Sequence, residues 1–281
     1  MATQIHWFPG HMKKALNEIE ERIRVVDVVI ELLDSRAPLS SINDKLQNLA
    51  QGKKKLVVLT KPDLADPKQT ELWKNKLANQ FDMLLVLDLT SQSAQNEIAK
   101  AVNKLGQTKH QKDIARGMKP QPIRAMILGI PNVGKSSLIN RLAGRRAAGV
   151  QNKPGYTRGE QWIKVNKDFL LLDTPGVLPM NYENKKFATN LALLGAIRED
   201  ILPNHDLVEY LLEFLRNNYP SALKDRFNIE NIGSQDEVIS SICDVRKLVD
   251  NTGNPDIERA QTLLLKEFKD GLLGRITLEV L

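Results

Sequence analysis

Apolar positions follow two rhythms along this chain, and the change from one to the other divides it. Up to about residue 178, short and nearly unbroken apolar runs alternate with segments of helical period. Residues 25–33, 55–59, 83–87, 123–128, 161–165 and 169–172 read as strands. Residues 67–79, 93–105 and 136–142 read as helices between or after them. Such alternation predicts an α/β fold, a mostly parallel sheet with helices on both faces. A turn at Asn166-Lys167-Asp168 joins the last two strands, and a polar, basic connector is expected over 107–120. Beyond about residue 179 the strand signals stop. Residues 206–217 and 254–269 keep a helical period, which predicts a small all-α region at the end of the chain.

Composition changes this picture in three ways. The 281 residues are 42% hydrophobic, enough for a large core or two modest ones. No run of 18 or more apolar residues occurs, and the first residues, Met1 to Trp7, carry no basic and apolar leader, so no membrane partner and a cytoplasmic location are expected. One cysteine, Cys243, forms no internal disulfide and reads as a buried helix residue. The net charge of +6 is uneven: residues 1–181 hold 28 Lys+Arg against 17 Asp+Glu, whereas 182–281 hold 12 against 17. A basic front half suits a phosphate-rich partner such as RNA, and equally a well-solvated surface.

The chemistry lies in short motifs. Gly129-Ile130-Pro131-Asn132-Val133-Gly134-Lys135-Ser136 has the spacing of a P-loop, between an apolar strand and a helix. In such a loop backbone amides cradle phosphates, the lysine reaches the β- and γ-phosphates and the serine hydroxyl ligates Mg²⁺. Asn132, Val133, Gly134, Lys135, Ser136 and Ser137 are therefore candidate nucleotide-binding residues. Asp173-Thr174-Pro175-Gly176 closes an apolar strand, where a carboxylate holds Mg²⁺ and the Gly176 amide can sense a γ-phosphate. Thr157, in Pro154-Gly155-Tyr156-Thr157, stands where a switch threonine ligates Mg²⁺. Thr60-Lys61-Pro62-Asp63 resembles the guanine motif N-K-x-D: Asp63 would accept from N1–H and the 2-amino group of guanine, which adenine cannot supply. Thr60 replaces the usual asparagine and lacks its amide donor. Thr90-Ser91 fits the loop that offers a backbone N–H to guanine O6.

The order of these motifs is diagnostic. The guanine motif and its helper precede the P-loop, the switch threonine and D-T-P-G, so the chain reads as a circularly permuted Ras-like P-loop GTPase domain. Residues 1–180 form that domain and 181–281 a small helical one. With Trp7-Phe8-Pro9-Gly10-His11-Met12 at the start, the chain resembles the bacterial ribosome biogenesis GTPase A (YlqF) family over nearly its whole length. Ras-like enzymes orient the attacking water with a glutamine after D-x-x-G, but Val177 stands there. The resemblance implies that His11 takes over. It also implies GTP and GDP as ligands, Mg²⁺ as cofactor, K⁺ as a further ion through Asn132, and ribosomal RNA of the assembling large subunit as partner of the helical tail. RNA contacts would fall on Lys53-Lys54-Lys55, Arg145-Arg146, Lys185-Lys186 and Arg246-Lys247, and a monomer is expected. Two other readings remain: a GTP-gated RNA-binding module with negligible turnover, and a P-loop ATPase, against which Asp63 argues.

Overall fold

The computed structural model describes residues 10–143, 162–172, 174, 176–178, 185–197 and 202–281. In chain order the elements are α1 (Gly10–Arg22), β1 (Val28–Asp34), α2 (Pro38–Ser41), α3 (Asp44–Leu49), β2 (Lys54–Thr60), α4 (Pro67–Leu77), β3 (Met83–Leu87), α5 (Ala94–Leu105), α6 (Gln107–Ala115), β4 (Ile123–Gly129), α7 (Lys135–Ala143), β5 (Trp162–Lys164), β6 (Phe169–Leu172), α8 (Lys185–Leu193), α9 (Asn204–Asn218), α10 (Lys224–Phe227), α11 (Gln235–Arg246) and α12 (Ile257–Lys269).

The six strands form one sheet in the order β3-β2-β1-β4-β6-β5. All neighbours are parallel except the β5–β6 hairpin, whose turn is closed by Asn166 Oδ1 accepting from the amides of Asp168 and Phe169. All seven residues of β1 are buried, as its unbroken apolar run requires of a central strand. Alternate residues face opposite ways. Val28, Ile30 and Leu32 meet Ile98 and Val102 of α5 and Leu138 and Leu142 of α7. On the other face Val29 packs with Ala15 and Ile19 of α1 and Leu46 of α3, and Leu33 with Trp73 and Leu77 of α4.

The chain goes from β1 outward to β2 and β3, then returns to place β4 on the other side of β1. A crevice opens at such a reversal, beyond the carboxyl ends of the strands, and ligands of open α/β sheets bind there. The P-loop follows β4 at this point.

Two expectations change. The 107–120 connector is largely helix α6, because nothing breaks a helix before Gly117 and its polar residues are anchored: Lys109 Nζ donates to Asp27 Oδ2 at 2.9 Å and to the Pro122 carbonyl at 2.8 Å. The last helix starts at Ile257 rather than 254, where Asp256 caps it by accepting from the Arg259 amide and Val249 bridges Pro255. Cys243 is buried in α11. The helical region does not stand apart. Its buried residues, Leu211 and Leu212 of α9, Ile242 of α11 and Leu264 of α12 among them, join the same apolar cluster as the sheet. The last residues, 275–281, run back along the first half of the chain.

Candidate nucleotide site

The site is assembled at the carboxyl ends of β1, β2 and β4. The P-loop fits only around glycines. Gly129 has φ +151° and a Cβ there would lie 2.9 Å from the Leu32 carbonyl; Gly134 has φ +111° and a Cβ would meet Leu89 at 2.9 Å. Lys135 opens α7. It is 8% exposed, and its Nζ donates to the carbonyls of Gly129 at 3.0 Å and Ile130 at 2.7 Å, across the loop it belongs to. Ser136 and Ser137 follow in the first turn of α7 and are exposed. Amides at that helix end favour an anion.

Gly176 closes on the same loop. A Cβ there would stand 2.9 Å from Lys135 Nζ and 3.0 Å from Pro131. The next residue, Val177, donates its amide to the Gly129 carbonyl, and its side chain is buried with Ala15 and Ile19 of α1. Its place in the core explains why a hydrophobe stands where water would otherwise be oriented.

The guanine motif touches the P-loop although about 70 residues separate them. Thr60 is fully buried; its Oγ1 lies 2.8 Å from the Val133 carbonyl and 3.1 Å from the Leu33 carbonyl, so the hydroxyl ties β2 to both β1 and the loop. Lys61 Nζ donates to the Asn132 carbonyl at 2.8 Å and to Asp34 Oδ2 at 2.9 Å. Both Lys61 (φ +53°) and Asn132 (φ +58°) occupy the left-handed region, a conformation non-glycine residues adopt at a cost of about 1–2 kcal/mol each. Asn132 Nδ2 donates to the Gly195 carbonyl beyond α8 at 2.6 Å. Asp63 is exposed. Thr90 and Ser91 are drawn into a turn by Asp88, which accepts from the Thr90 amide through its carboxylate and from the Ser91 amide through its carbonyl.

Sequence reasoning missed the hub of this arrangement. Asp34, the last residue of β1, is 1% exposed and accepts from Arg36 Nε and Nη2 and from Lys61 Nζ, each at 2.9 Å. Burial alone would push its carboxyl up, but Arg36 and then Lys61 outweigh that and hold it well below the usual carboxylate range. Arg36 Nη1 goes on to the Lys269 carbonyl at the end of α12. The signal was a carboxylate closing an apolar strand, followed two residues later by arginine.

Of the other residues singled out, His11 lies in the first turn of α1, with its side chain outside the described residues. Thr157, Asp173, Trp7, Phe8, Arg145 and Arg146 also fall outside them. Among the described residues no cluster of three or more His, Cys, Asp or Glu could hold a metal. A P-loop metal site needs none, since hydroxyl, phosphate and water supply its ligands, and Ser136 offers the hydroxyl.

Similarity to known proteins matches this geometry. A family model described as 50S ribosome-binding GTPase matches residues 124–243. Ribosome biogenesis GTPase A of Bacillus cereus is 40% identical over 98% of this chain and 93% of its own length. The chain belongs to the ribosome biogenesis GTPase A family. Further members include the Thermotoga maritima protein, 30% identical over 97% of this chain and 93% of its own. The crystal structure of GNP-bound YlqF from T. maritima superposes with a TM-score of 0.68 at 26% identity, covering 95% of this chain and 98% of that one. The family fold is a circularly permuted GTPase domain with a helical C-terminal region, and the strand order here, with the P-loop strand fourth in the chain and central in the sheet, is that permutation.

Proposed function

We propose that this GTPase acts in late maturation of the large ribosomal subunit, with its nucleotide state controlling docking and release. The observation that carries the nucleotide half is the contact between the guanine motif and the P-loop through Thr60 and Lys61, which joins base reading to phosphate binding in one site. The names of its relatives support the ribosomal half.

In this reading the loop amides and Lys135 bind the β- and γ-phosphates. Asp63 accepts from guanine, Lys61 packs along the base and Thr90 with Ser91 lines it. Ser136, Thr157 and Asp173 would hold Mg²⁺, whose charge would offset that of the phosphates. Gly176, close to Lys135, senses the γ-phosphate. Asn132 helps hold K⁺, a cation that would take the part of an arginine finger. His11 orients the attacking water. Support for His11 comes from α1, the helix that carries it: Ala15 of that helix is packed with Val177, the neighbour of Gly176. The helical region, 181–281, docks on ribosomal RNA, with Lys185, Lys186, Arg246 and Lys247 as its cations and Lys53 to Lys55 adding phosphate contacts. The protein works as a monomer in the cytoplasm.

GTP turnover in potassium and in sodium buffer, with and without purified large subunits, tests this. Stimulation by subunits is expected, and His11→Ala should lower the stimulated turnover by about 100-fold or more. Unstimulated turnover in every condition would leave a GTP-gated RNA-binding module as the better reading. Equal rates in the two buffers would remove K⁺.

A further inference from the structure

The guanine loop is held from the far end of the chain. Arg275 Nη2 donates to the Pro62 carbonyl at 2.6 Å and Arg275 Nε to the Ala65 carbonyl at 2.9 Å. The Ile276 amide donates to the Leu64 carbonyl at 3.1 Å. Thr277 Oγ1 accepts from the Asp66 amide at 3.1 Å, and Asp66 Oδ2 accepts from Tyr219 of α9. Gly271 packs so tightly on Leu64 that a Cβ would lie 2.6 Å from its Cδ2. Residues on both sides of Asp63 are thus gripped by the C-terminal segment, while Asp63 itself stays exposed.

Beyond the loop the segment continues along the same half of the chain. The Leu278 amide donates to the Arg36 carbonyl at 2.7 Å, next to the carboxylate that holds Lys61. Glu279 accepts from the amides of Leu39 and Ser40, its carbonyl accepts from Trp73 Nε1, and the Leu281 amide reaches Gln69 Oε1. Such an extended path along an ordered loop fixes backbone atoms. The direction of a short aspartate is set by the backbone that carries it, so fixing Pro62, Leu64 and Ala65 fixes where the Asp63 carboxylate can stand.

We propose that the C-terminal segment is a working part of the guanine site, with Arg275 as a positioning residue that holds Asp63 in register with the base. The proposal rests on the reading of Asp63 as the guanine acceptor. It makes base specificity, and not phosphate affinity, the property that the C-terminal segment controls, and it gives the helical region a hydrogen-bonded route to the loop that carries Asp63.

The test compares GDP with IDP by titration calorimetry on the full-length protein. IDP lacks the 2-amino group and keeps N1–H and both phosphates, so the ratio of the two dissociation constants reads the Asp63 contact. A ratio of about 10- to 100-fold is expected for the native chain, the worth of a hydrogen bond to a charged group. Arg275→Ala should lower that ratio at least to about threefold, and Arg275→Lys, which keeps one donor, should restore part of it. A merely structural role would weaken both nucleotides equally and leave the ratio alone. Asp63→Ala is the reference. A ratio collapsed by Asp63→Ala but untouched by Arg275→Ala overturns the proposal and leaves the Asp63 reading standing. A ratio untouched by Asp63→Ala overturns that reading, and the proposal with it. Should Arg275→Ala fail to fold, Thr277→Val carries the same comparison, since it removes only the Oγ1 contact to the Asp66 amide.

Discussion

Thr60 shows how one residue can change meaning once it is seen in place. In the sequence it is a departure from asparagine that subtracts a donor. In the fold it is a buried hydroxyl between the carbonyls of Leu33 and Val133, joining three elements of the site. Glu31 is a second case. It sits in the middle of fully buried β1, bonded to Gln47 and near Lys55 and Asp44. Burial pushes its pKa up to about 7, opposed by Lys55 and Gln47 and aided by Asp44. A carboxyl raised in the folded state favours folding while it stays protonated. Its unfolded counterpart ionises near 4.3, so stability falls as pH rises from about 4.5 to about 7 and then levels, by about 3.5 kcal/mol at most. Glu31→Gln cannot ionise. Its stability relative to the native chain, from urea unfolding at pH 5 and pH 8, should therefore be more favourable at pH 8. An identical difference at both values would show that Glu31 is ionised throughout.

At the scale of elements, most of the fold was legible because apolar period reports burial. The runs at 55–59, 83–87 and 169–172 became strands within a residue or two, and the P-loop glycines landed where positive φ demanded them. What was not legible depended on partners distant in sequence. Helix α6 looked like a connector because its stabilising contacts, from Lys109 to Asp27 and Pro122, lie in other segments. The Asp34–Arg36–Lys61 hub was hidden because its charges gather only when β1 and β2 lie side by side. Local chemistry, in contrast, can be read directly at α11. Ser234 accepts from the Glu237 amide, and the Glu237 carboxylate accepts from the Ser234 amide, a reciprocal cap whose hydrogen bonds hold that carboxyl below its ordinary pKa. Ser234→Ala should cost about 1 kcal/mol of stability in denaturant titration without changing nucleotide affinity. A larger loss would mean that the cap also sets how α11 packs on α9.

The whole molecule is more tightly bound than a two-part reading of the chain suggests. Buried Glu279 and Asn190 link the chain end, α2 and α8, and the Tyr210 hydroxyl on α9 donates to Asn190 Oδ1. Crowding by burial and by Glu279 and Glu213 lifts that hydroxyl's pKa to about 12, so it remains a donor at any physiological pH. Arg36 meanwhile ties the nucleotide-side hub to the end of α12. A ligand that settles the guanine loop should then also settle the chain end. At a hundredfold excess of GDP over its Kd, about 2.7 kcal/mol is available to slow opening of whatever the nucleotide stabilises. Hydrogen exchange should accordingly slow at the amides of Ile276 and Leu278, which donate to Leu64 and Arg36, together with those of the P-loop. Slowing confined to the P-loop would show that the two ends of the molecule respond independently.

The bonds from Arg275 to Pro62 and Ala65 also impose a timetable. The loop after β2 is synthesised early, yet its partner Arg275 lies more than two hundred residues further on, so it emerges from a translating ribosome long after the loop does. Until Arg275 has been made and has cleared the exit tunnel, the half-made protein carries this loop without its brace. A nascent chain can thus fold its sheet during translation, but the loop after β2 gains its brace only once Arg275 has emerged.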